Sequence, residues 1–221
     1  MKRDDANRIT ALIELASLYE KMDKMDEAKE CYEDCIKIQK ASTPNAKSTV
    51  AKTMFSFGFL LVKMDDEDRA LTLFQQALKI QKKLPGSHDH LPTLLKIGEI
   101  YMQKCLYKEA LDTLIKTVTL WPDALAEEAA DCNRNIGVIY IAKEDFQRSI
   151  PHLRDAVDLY DKSGIDDERR SSSLHLYGKS LCMISDFSLA RQKVLEGKCA
   201  YIAFTSRVIF CFPNMSKPFC K

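Results

Sequence analysis

The sequence lacks a strong excess of charge of either sign, and it lacks a long uninterrupted apolar run. Its 33 basic and 32 acidic residues leave a net charge of +1, which argues against a chain built to attract nucleic acid or an anionic membrane. The longest apolar stretch, 199–212, is interrupted by Ser206 and Arg207 and falls short of the roughly 20 residues that a membrane-spanning helix needs. We therefore expect no membrane span and no nucleic-acid partner.

Sequence signals for catalysis are missing as well. The chain contains nothing resembling a Gly-rich phosphate loop, a strained nucleophile turn or a paired-carboxylate site. The acidic run at 65–68 falls between two helical patterns, where carboxylates favour the start of the next helix. We therefore predict that the protein is not an enzyme and that it has no catalytic residues, no cofactor and no cofactor-binding residues.

The eight cysteines are numerous enough for a disulfide framework, but the chain is long and begins with Met-Lys-Arg-Asp-Asp, unlike a secretion signal. Free thiols in a cytoplasmic protein are the better interpretation. Cys31 and Cys35 have the spacing of two metal ligands on one helix face, yet a structural zinc site needs four ligands and no second pair lies near. We predict no metal site. A thiol enzyme stays as an alternative that would require a cysteine with a lowered pKa.

The most informative feature that is present is a repeat of small residues. Five times, a small residue is followed twelve positions later by another, and the pairs are Ala16 with Ala28, Gly58 with Ala70, Gly98 with Ala110, Gly137 with Ser149, and Gly178 with Ala190. Successive pairs begin 42, 40, 39 and 41 residues apart. This period is typical of stacked helical hairpins, so binding is the expected function.

Apolar residues around each small pair are spaced as on one face of a helix. In the first unit, Leu12, Leu15, Ala16 and Tyr19 are three or four positions apart, and 28–36 repeats the pattern after a short polar turn. Two antiparallel helices about 8 to 10 Å apart need a residue of Gly or Ala size where they cross. Because Gly costs about 1 kcal/mol relative to Ala within a helix, its return in four units indicates close packing.

These residues resemble the tetratricopeptide repeat, a helix-turn-helix unit whose first helix runs large, small, aromatic. The matching residues of the first helices are Leu15, Ala16, Tyr19; Phe57, Gly58; Ile97, Gly98, Tyr101; Ile136, Gly137, Tyr140; Tyr177 and Gly178. The units are longer than the usual ~34 residues, and in this they are similar to the repeats of kinesin light chains and of spindle-orientation and G-protein-signalling adaptors. The resemblance implies an all-α, right-handed superhelical solenoid of about five units.

The register of the small pairs predicts where each unit lies. We expect the array to cover 6–197, with units at about 9–42, 51–84, 91–122, 130–162 and 171–198. The pattern ends at Lys198, and 198–221 is an atypical tail rich in β-branched and aromatic residues. A solenoid normally finishes with a polar capping helix. Either the tail covers the last hairpin, or the uncapped end allows self-association.

The resemblance further implies a non-catalytic adaptor or scaffold that binds a partner peptide or helix in a concave groove lined by the first helices. Phe55 and Phe59 are expected to face this groove, because Met54, Phe57 and Leu61 already supply the packing face of their helix. The other interpretation is that long second helices or a neighbouring subunit cover these two phenylalanines. The full set of predicted groove residues is Lys52, Phe55, Phe59, Val62, Leu95, Glu99, Met102, Arg134, Asn135, Val138 and Lys179. The alternative is a structural subunit of a larger cytoskeletal or ciliary assembly. In either case we expect a cytoplasmic protein with protein partners.

Overall fold

The computed structural model describes residues 3–42, 47–84, 90–120, 126–164 and 168–196, and within these ranges it contains ten α-helices and no strand. In chain order the helices are α1 (Arg3–Lys21), α2 (Met25–Ser42), α3 (Lys47–Lys63), α4 (Glu67–Gln81), α5 (His90–Gln103), α6 (Tyr107–Leu120), α7 (Ala126–Ala142), α8 (Phe146–Lys162), α9 (Glu168–Met183) and α10 (Phe187–Glu196). The predicted all-α class with repeated helix-turn-helix units is confirmed. The atypical tail at 198–221 lies outside the described residues.

Five turns of identical backbone geometry join the helices in pairs. One residue in each turn has a left-handed backbone, with φ between 57° and 70°, and these residues are Asp23, Asp65, Cys105, Glu144 and Ser185. The next residue donates its N–H to the carbonyl five positions earlier, as when Asp66 donates to Leu61 at 2.9 Å. This six-to-one bond is that of a Schellman motif. None of the five left-handed residues is glycine, so the turns carry no glycine signal in the sequence.

Side-chain carboxylates cap α4 and α8, which follow two of these turns. Asp66 accepts a hydrogen bond from the backbone N–H of Arg69, and Asp145 accepts one from Arg148. Each carboxylate satisfies a donor that the first turn of a helix leaves without an intrahelical partner. The interpretation of the acidic run at 65–68 as a helix start is confirmed.

The small residues of the first helices are there because large side chains of the second helices press against them. A Cβ placed on Gly58 would lie 2.8 Å from the ring of Phe74, and one on Gly137 would lie 2.6 Å from Cγ of Leu153. Gly178 has the same relation to Val194, at 2.5 Å. Each glycine therefore leaves room for the side chain sixteen positions later in the chain. That side chain follows the paired small residue of the same unit by four positions, about one helical turn.

The described residues fall into two compact units, divided between Thr113 and Leu114. In the first unit, neighbouring hairpins meet through equivalent buried side-chain pairs: Gln39 of α2 donates to Thr53 of α3 at 3.0 Å, and Thr93 of α5 donates to Gln81 of α4 at 2.8 Å. In the second unit, Ser149 of α8 donates to Ser180 of α9 at 2.8 Å. Because a buried polar group without a partner is costly, each pair helps to define which faces meet.

Candidate protein-binding site

The best candidate for a binding surface in the first unit is centred on Phe59 of α3. Its side chain is 41% exposed, which is unusual for a large aromatic residue within a helix of packed hairpins. Lys63 Nζ lies 5.6 Å from the centre of its ring, and Lys96 Nζ of α5 lies 5.3 Å from it. Two cations on adjacent first helices therefore flank one exposed ring.

Both lysines are themselves paired with carboxylates. Lys63 forms a salt bridge with Glu20 of α1 at 2.9 Å, and Lys96 forms one with Glu99 at 2.8 Å. These five residues, Glu20, Phe59, Lys63, Lys96 and Glu99, are called the Phe59 patch below. It extends over α1, α3 and α5.

The salt bridges and cation–π contacts of the Phe59 patch contribute little free energy. Salt bridges between solvent-accessible groups are worth about 0 to 1 kcal/mol, and an exposed cation–π contact about 0.5 to 1 kcal/mol. Glu20 also has a partly buried partner, since the Tyr32 hydroxyl of α2 donates a hydrogen bond to it at 2.9 Å. Burial and this hydrogen bond raise the pKa of Tyr32. The contacts of the lysines with the ring therefore contribute little free energy, whereas Glu20 has the Tyr32 hydroxyl as a second partner.

The structure corrects the role expected for Phe55. Its ring contacts that of Phe74 at a centroid distance of 5.5 Å, and it packs with Val62 against the core of the first unit. Phe55 was expected to have no packing role because the sequence pattern already supplies a full core face for α3. The ring of Phe74 in α4 lies against both Gly58 and Phe55. The face of α3 that packs against α4 is therefore wider than the sequence pattern indicated.

Two other predicted groove residues lie below the surface. Leu95 is 4% exposed and Asn135 is 1% exposed, so neither reaches a ligand in this conformation. The first helices are covered on more than one side: Leu95, three positions before Gly98, and Asn135, two positions before Gly137, are both buried. The part of these first helices that remains at the surface is therefore narrower than the predicted stripe of groove residues.

The other predicted residues are at least partly accessible and are divided between the two compact units. In the first unit Lys52 is exposed, and Glu99 and Met102 are half-buried. In the second unit Arg134 and Val138 of α7 are half-buried, and Lys179 of α9 is exposed. Within the first unit the structure brings Phe59 and Glu99 together, since both contact Lys96.

Sequence reasoning missed both lysines of the Phe59 patch. Lys63 follows Phe59 by four positions and so lies on the same helix face, a spacing that could have identified it. Lys96 comes from the next hairpin, 37 positions later, and only the packing of α5 beside α3 brings it to the ring. No pattern within one unit indicates that contact.

The second unit has a charged cluster of its own at the start of α9. Arg169 lies 2.7 Å from Glu127 and 3.4 Å from Asp131, and its guanidinium group lies 5.8 Å from the centre of the Tyr160 ring. The Tyr160 hydroxyl donates to Asp131, and burial together with this bond raises the pKa of Tyr160. Since these groups satisfy one another, the cluster connects α7, α8 and α9 and offers little free charge to a ligand.

Three buried thiols show the opposite of activation. Burial raises the pKa of Cys31, of Cys35 and of Cys182, which keeps each thiol protonated, whereas a reactive cysteine needs a lowered pKa. Among the residues that the structure describes, no three His, Cys, Asp or Glu side chains come together as metal ligands would. In the same part of the chain, none of the helices combines the length and the apolar character needed to cross a bilayer.

Comparison with known sequences identifies the repeats. The sequence pattern of the Tetratricopeptide repeat family matches residues 7–87 and 89–162. A curated relative, Protein KINESIN LIGHT CHAIN-RELATED 1 of Arabidopsis thaliana, is 26% identical over 190 residues. The match covers 82% of this chain but only 31% of the relative, so the chain spans about a third of that protein's length.

Solved structures agree on the fold. A putative kinesin light chain of Podosopora anserina with nearly identical TPR-like repeats superposes with a TM-score of 0.72 at 20% identity, covering 94% of this chain and 99% of that one. BtubC of P. vanneervenii gives a TM-score of 0.75 at 18% identity, covering 99% of this chain and 87% of that one. At these identities the likeness establishes the architecture alone.

Proposed function

Because the chain belongs to the tetratricopeptide-repeat family, we propose that it is a non-catalytic adaptor or scaffold that binds a peptide or helix of a partner protein. Proteins built from this repeat generally mediate protein–protein interactions. We propose the Phe59 patch, with Lys52 and Met102 beside it, as the binding surface of the first unit. The proposal puts the protein in the cytoplasm, in association with the cytoskeleton, on the strength of its similarity to kinesin light chains.

The observation that carries the proposal is the exposed Phe59 ring between two paired lysines. An aromatic ring at the centre of a binding surface supplies apolar contact area, and the charged groups around it orient the ligand and exclude water. Lys63 and Lys96 pair with Glu20 and Glu99, so the charged groups around the ring come from three neighbouring helices, α1, α3 and α5. The interaction expected here is a short apolar segment against Phe59 with polar groups at its edges.

The test starts from peptides selected from a random display library against the intact chain. Their affinities are then measured by fluorescence anisotropy for the wild type, for Phe59→Asp and for Phe187→Asp. Phe187 is the matched control, because it is an exposed phenylalanine on α10, in the other compact unit, at 54% exposure against 41% for Phe59. We expect Phe59→Asp to weaken binding at least about thirtyfold, as for loss of a central aromatic contact, and Phe187→Asp to have no effect.

Circular dichroism of both variants checks that the helices are intact, since both side chains are exposed. Selected peptides that bind Phe59→Asp as tightly as wild type would disprove this site. A photo-crosslinking amino acid at position 59, compared with one at position 187, then shows which peptide atoms lie against the patch.

The structural-subunit alternative has its own supporting observation. Met183, Ile184, Phe187 and Leu195 leave large apolar side chains exposed on the last described hairpin, and such a concentration is typical of a contact surface. In that case Phe187→Asp would change the sedimentation of the protein, and Phe59→Asp would not. The same two variants therefore separate the two functions.

A further inference from the structure

The outward face of α1 is apolar and exposed. Ala11, Leu15 and Leu18 lie three or four positions apart on one side of the helix, and Met22, directly after its last residue, continues the row four positions later. All four are exposed, with Leu18 at 55% and Met22 at 61%. This row is called the α1 seam below.

The equivalent face is buried in the first helix of other hairpins. The residues of α3 at the positions of Ala11, Leu15 and Leu18 are Thr53, Phe57 and Leu60, and all three are buried. The equivalents in α5 are Thr93, Ile97 and Ile100, and those in α9 are Ser173, Tyr177 and Ser180, which are buried as well. At Leu60 the exposed fraction is 0%, against 55% at Leu18.

In each of these hairpins a helix from the preceding hairpin covers the face. Tyr32 of α2 stacks on Phe57 of α3 at 5.9 Å, and Gln39 of α2 donates to Thr53. Ser149 of α8 likewise donates to Ser180 of α9. The α1 seam is thus a helix-packing face of the kind that the chain repeatedly buries, with no described helix packed against it.

Charges beside the seam indicate which helix fits. Glu14 and Lys21 are exposed on the same edge of the seam, seven positions apart, and neither forms a salt bridge within the described part of the chain. The opposite edge consists of Leu12 and Tyr19, which pack against the core of the first unit. The edge of the α1 seam formed by Leu12 and Tyr19 is therefore packed against the same protein, and the other edge carries one negative and one positive side chain, Glu14 and Lys21.

We propose that the α1 seam binds the α1 seam of a second copy of this chain, with the two helices antiparallel about a two-fold axis. In this arrangement Ala11 lies opposite Met22 of the second copy, so that the small residue makes room for the long one, and Leu15 lies opposite Leu18, so that leucines fill the centre. Glu14 then faces Lys21 of the second copy, and the symmetry produces that ion pair twice. A parallel arrangement would set Glu14 and Lys21 against the edge formed by Leu12 and Tyr19 and leave both without a partner.

The test is the sedimentation velocity of the full chain over a roughly hundredfold range of concentration. We expect a reversible dimer for the wild type and at least about a tenfold rise in the dimer Kd for Leu18→Glu. Ile13→Glu is the control, because Ile13 is an exposed apolar residue of α1 that lies off the seam. It should dimerise as the wild type does. A wild type that stays monomeric, or a Leu18→Glu variant that still dimerises normally, overturns the proposal.

A charge exchange tests the antiparallel geometry. Glu14→Lys places two lysines against each other at both symmetry-related positions and should raise the dimer Kd about tenfold at low salt. The double variant Glu14→Lys with Lys21→Glu restores opposite charges and should restore the wild-type Kd. If the double variant dimerises no better than Glu14→Lys alone, the two-fold antiparallel pairing is wrong. Circular dichroism verifies that every variant keeps its helices.

Discussion

Replacing Gly137 with alanine should destabilise the protein, although alanine is the better helix former. A methyl group at this position would lie 2.6 Å from Cγ and 2.7 Å from Cδ2 of Leu153. Leu153 is completely buried, and its branch point cannot move aside without moving the rest of the side chain. Overpacking of this kind costs about 1 to 3 kcal/mol, whereas the change from Gly to Ala in a helix gains about 1 kcal/mol. We expect a net loss of about 1 kcal/mol in the free energy of unfolding.

The sign of this effect should reverse once Leu153 is shortened. Leu153→Ala alone should cost about 2 to 5 kcal/mol, because it leaves a cavity. In that background the methyl group of Gly137→Ala meets no obstacle and partly fills the cavity, so the second substitution should stabilise by about 1 kcal/mol. The two values for Gly137→Ala should thus differ by about 2 kcal/mol, as expected for side chains in contact.

Urea unfolding followed by circular dichroism provides the four free energies of this double-mutant cycle. Gly164 supplies the control, since it has φ of +68° and no atom within 4 Å of an added Cβ. Gly164→Ala should cost about 1 kcal/mol through backbone strain. This cost should be the same in the wild-type background and in the Leu153→Ala background. If Gly137→Ala stabilises the wild-type chain, close packing against Leu153 is not the reason for the glycine, and the packing explanation of the repeat is refuted.

Two further predictions concern a turn and a buried histidine. Glu144 has a left-handed backbone with φ of 59°, so Glu144→Gly should raise the free energy of unfolding by about 0.5 to 1 kcal/mol in urea titrations; an unchanged or lower value would mean that the side chain compensates for its strain. Burial lowers the pKa of His152, which stacks on Tyr140 at 5.7 Å and contacts Asn133 at 3.1 Å. The unfolded chain therefore takes up the proton first, and stability should fall as the pH drops below about 6.5 and level off below the folded-state pKa. His152→Gln should remove that part of the acid dependence, and an identical pH profile for the variant would contradict it.

The periodic features of the fold were predictable because they depend on local spacing. Gly58, Gly137 and Gly178 recur at hairpin spacing, and each lies where a side chain would collide with the second helix. Polar residues at 21–26 and the acidic run at 65–68 indicated the first two turns. The left-handed geometry of the turns was not indicated, since Asp65 and Cys105 occupy positions where glycine is the usual signal.

The binding surface was harder to predict than the fold. Phe59 was predicted from its register to face the groove; its side chain is exposed, and its role in binding stays a prediction. Phe55 and Leu95 were assigned to the same surface and are instead packed or buried. The difference arises because a helix in a stack of hairpins has neighbours on several sides, and a one-dimensional pattern does not specify how much of its circumference they cover.

The sequence by itself determined the helical class, the period of the hairpins and the residues at which paired helices approach closely. These depend on the positions of side chains within one hairpin, which helical geometry sets directly. Only the tertiary structure decided that Lys96 reaches Phe59 from the next hairpin, and that the α1 seam lies exposed while its equivalents in α3, α5 and α9 are buried. Both depend on which helix lies beside which, and that is set by the packing of each hairpin against the next.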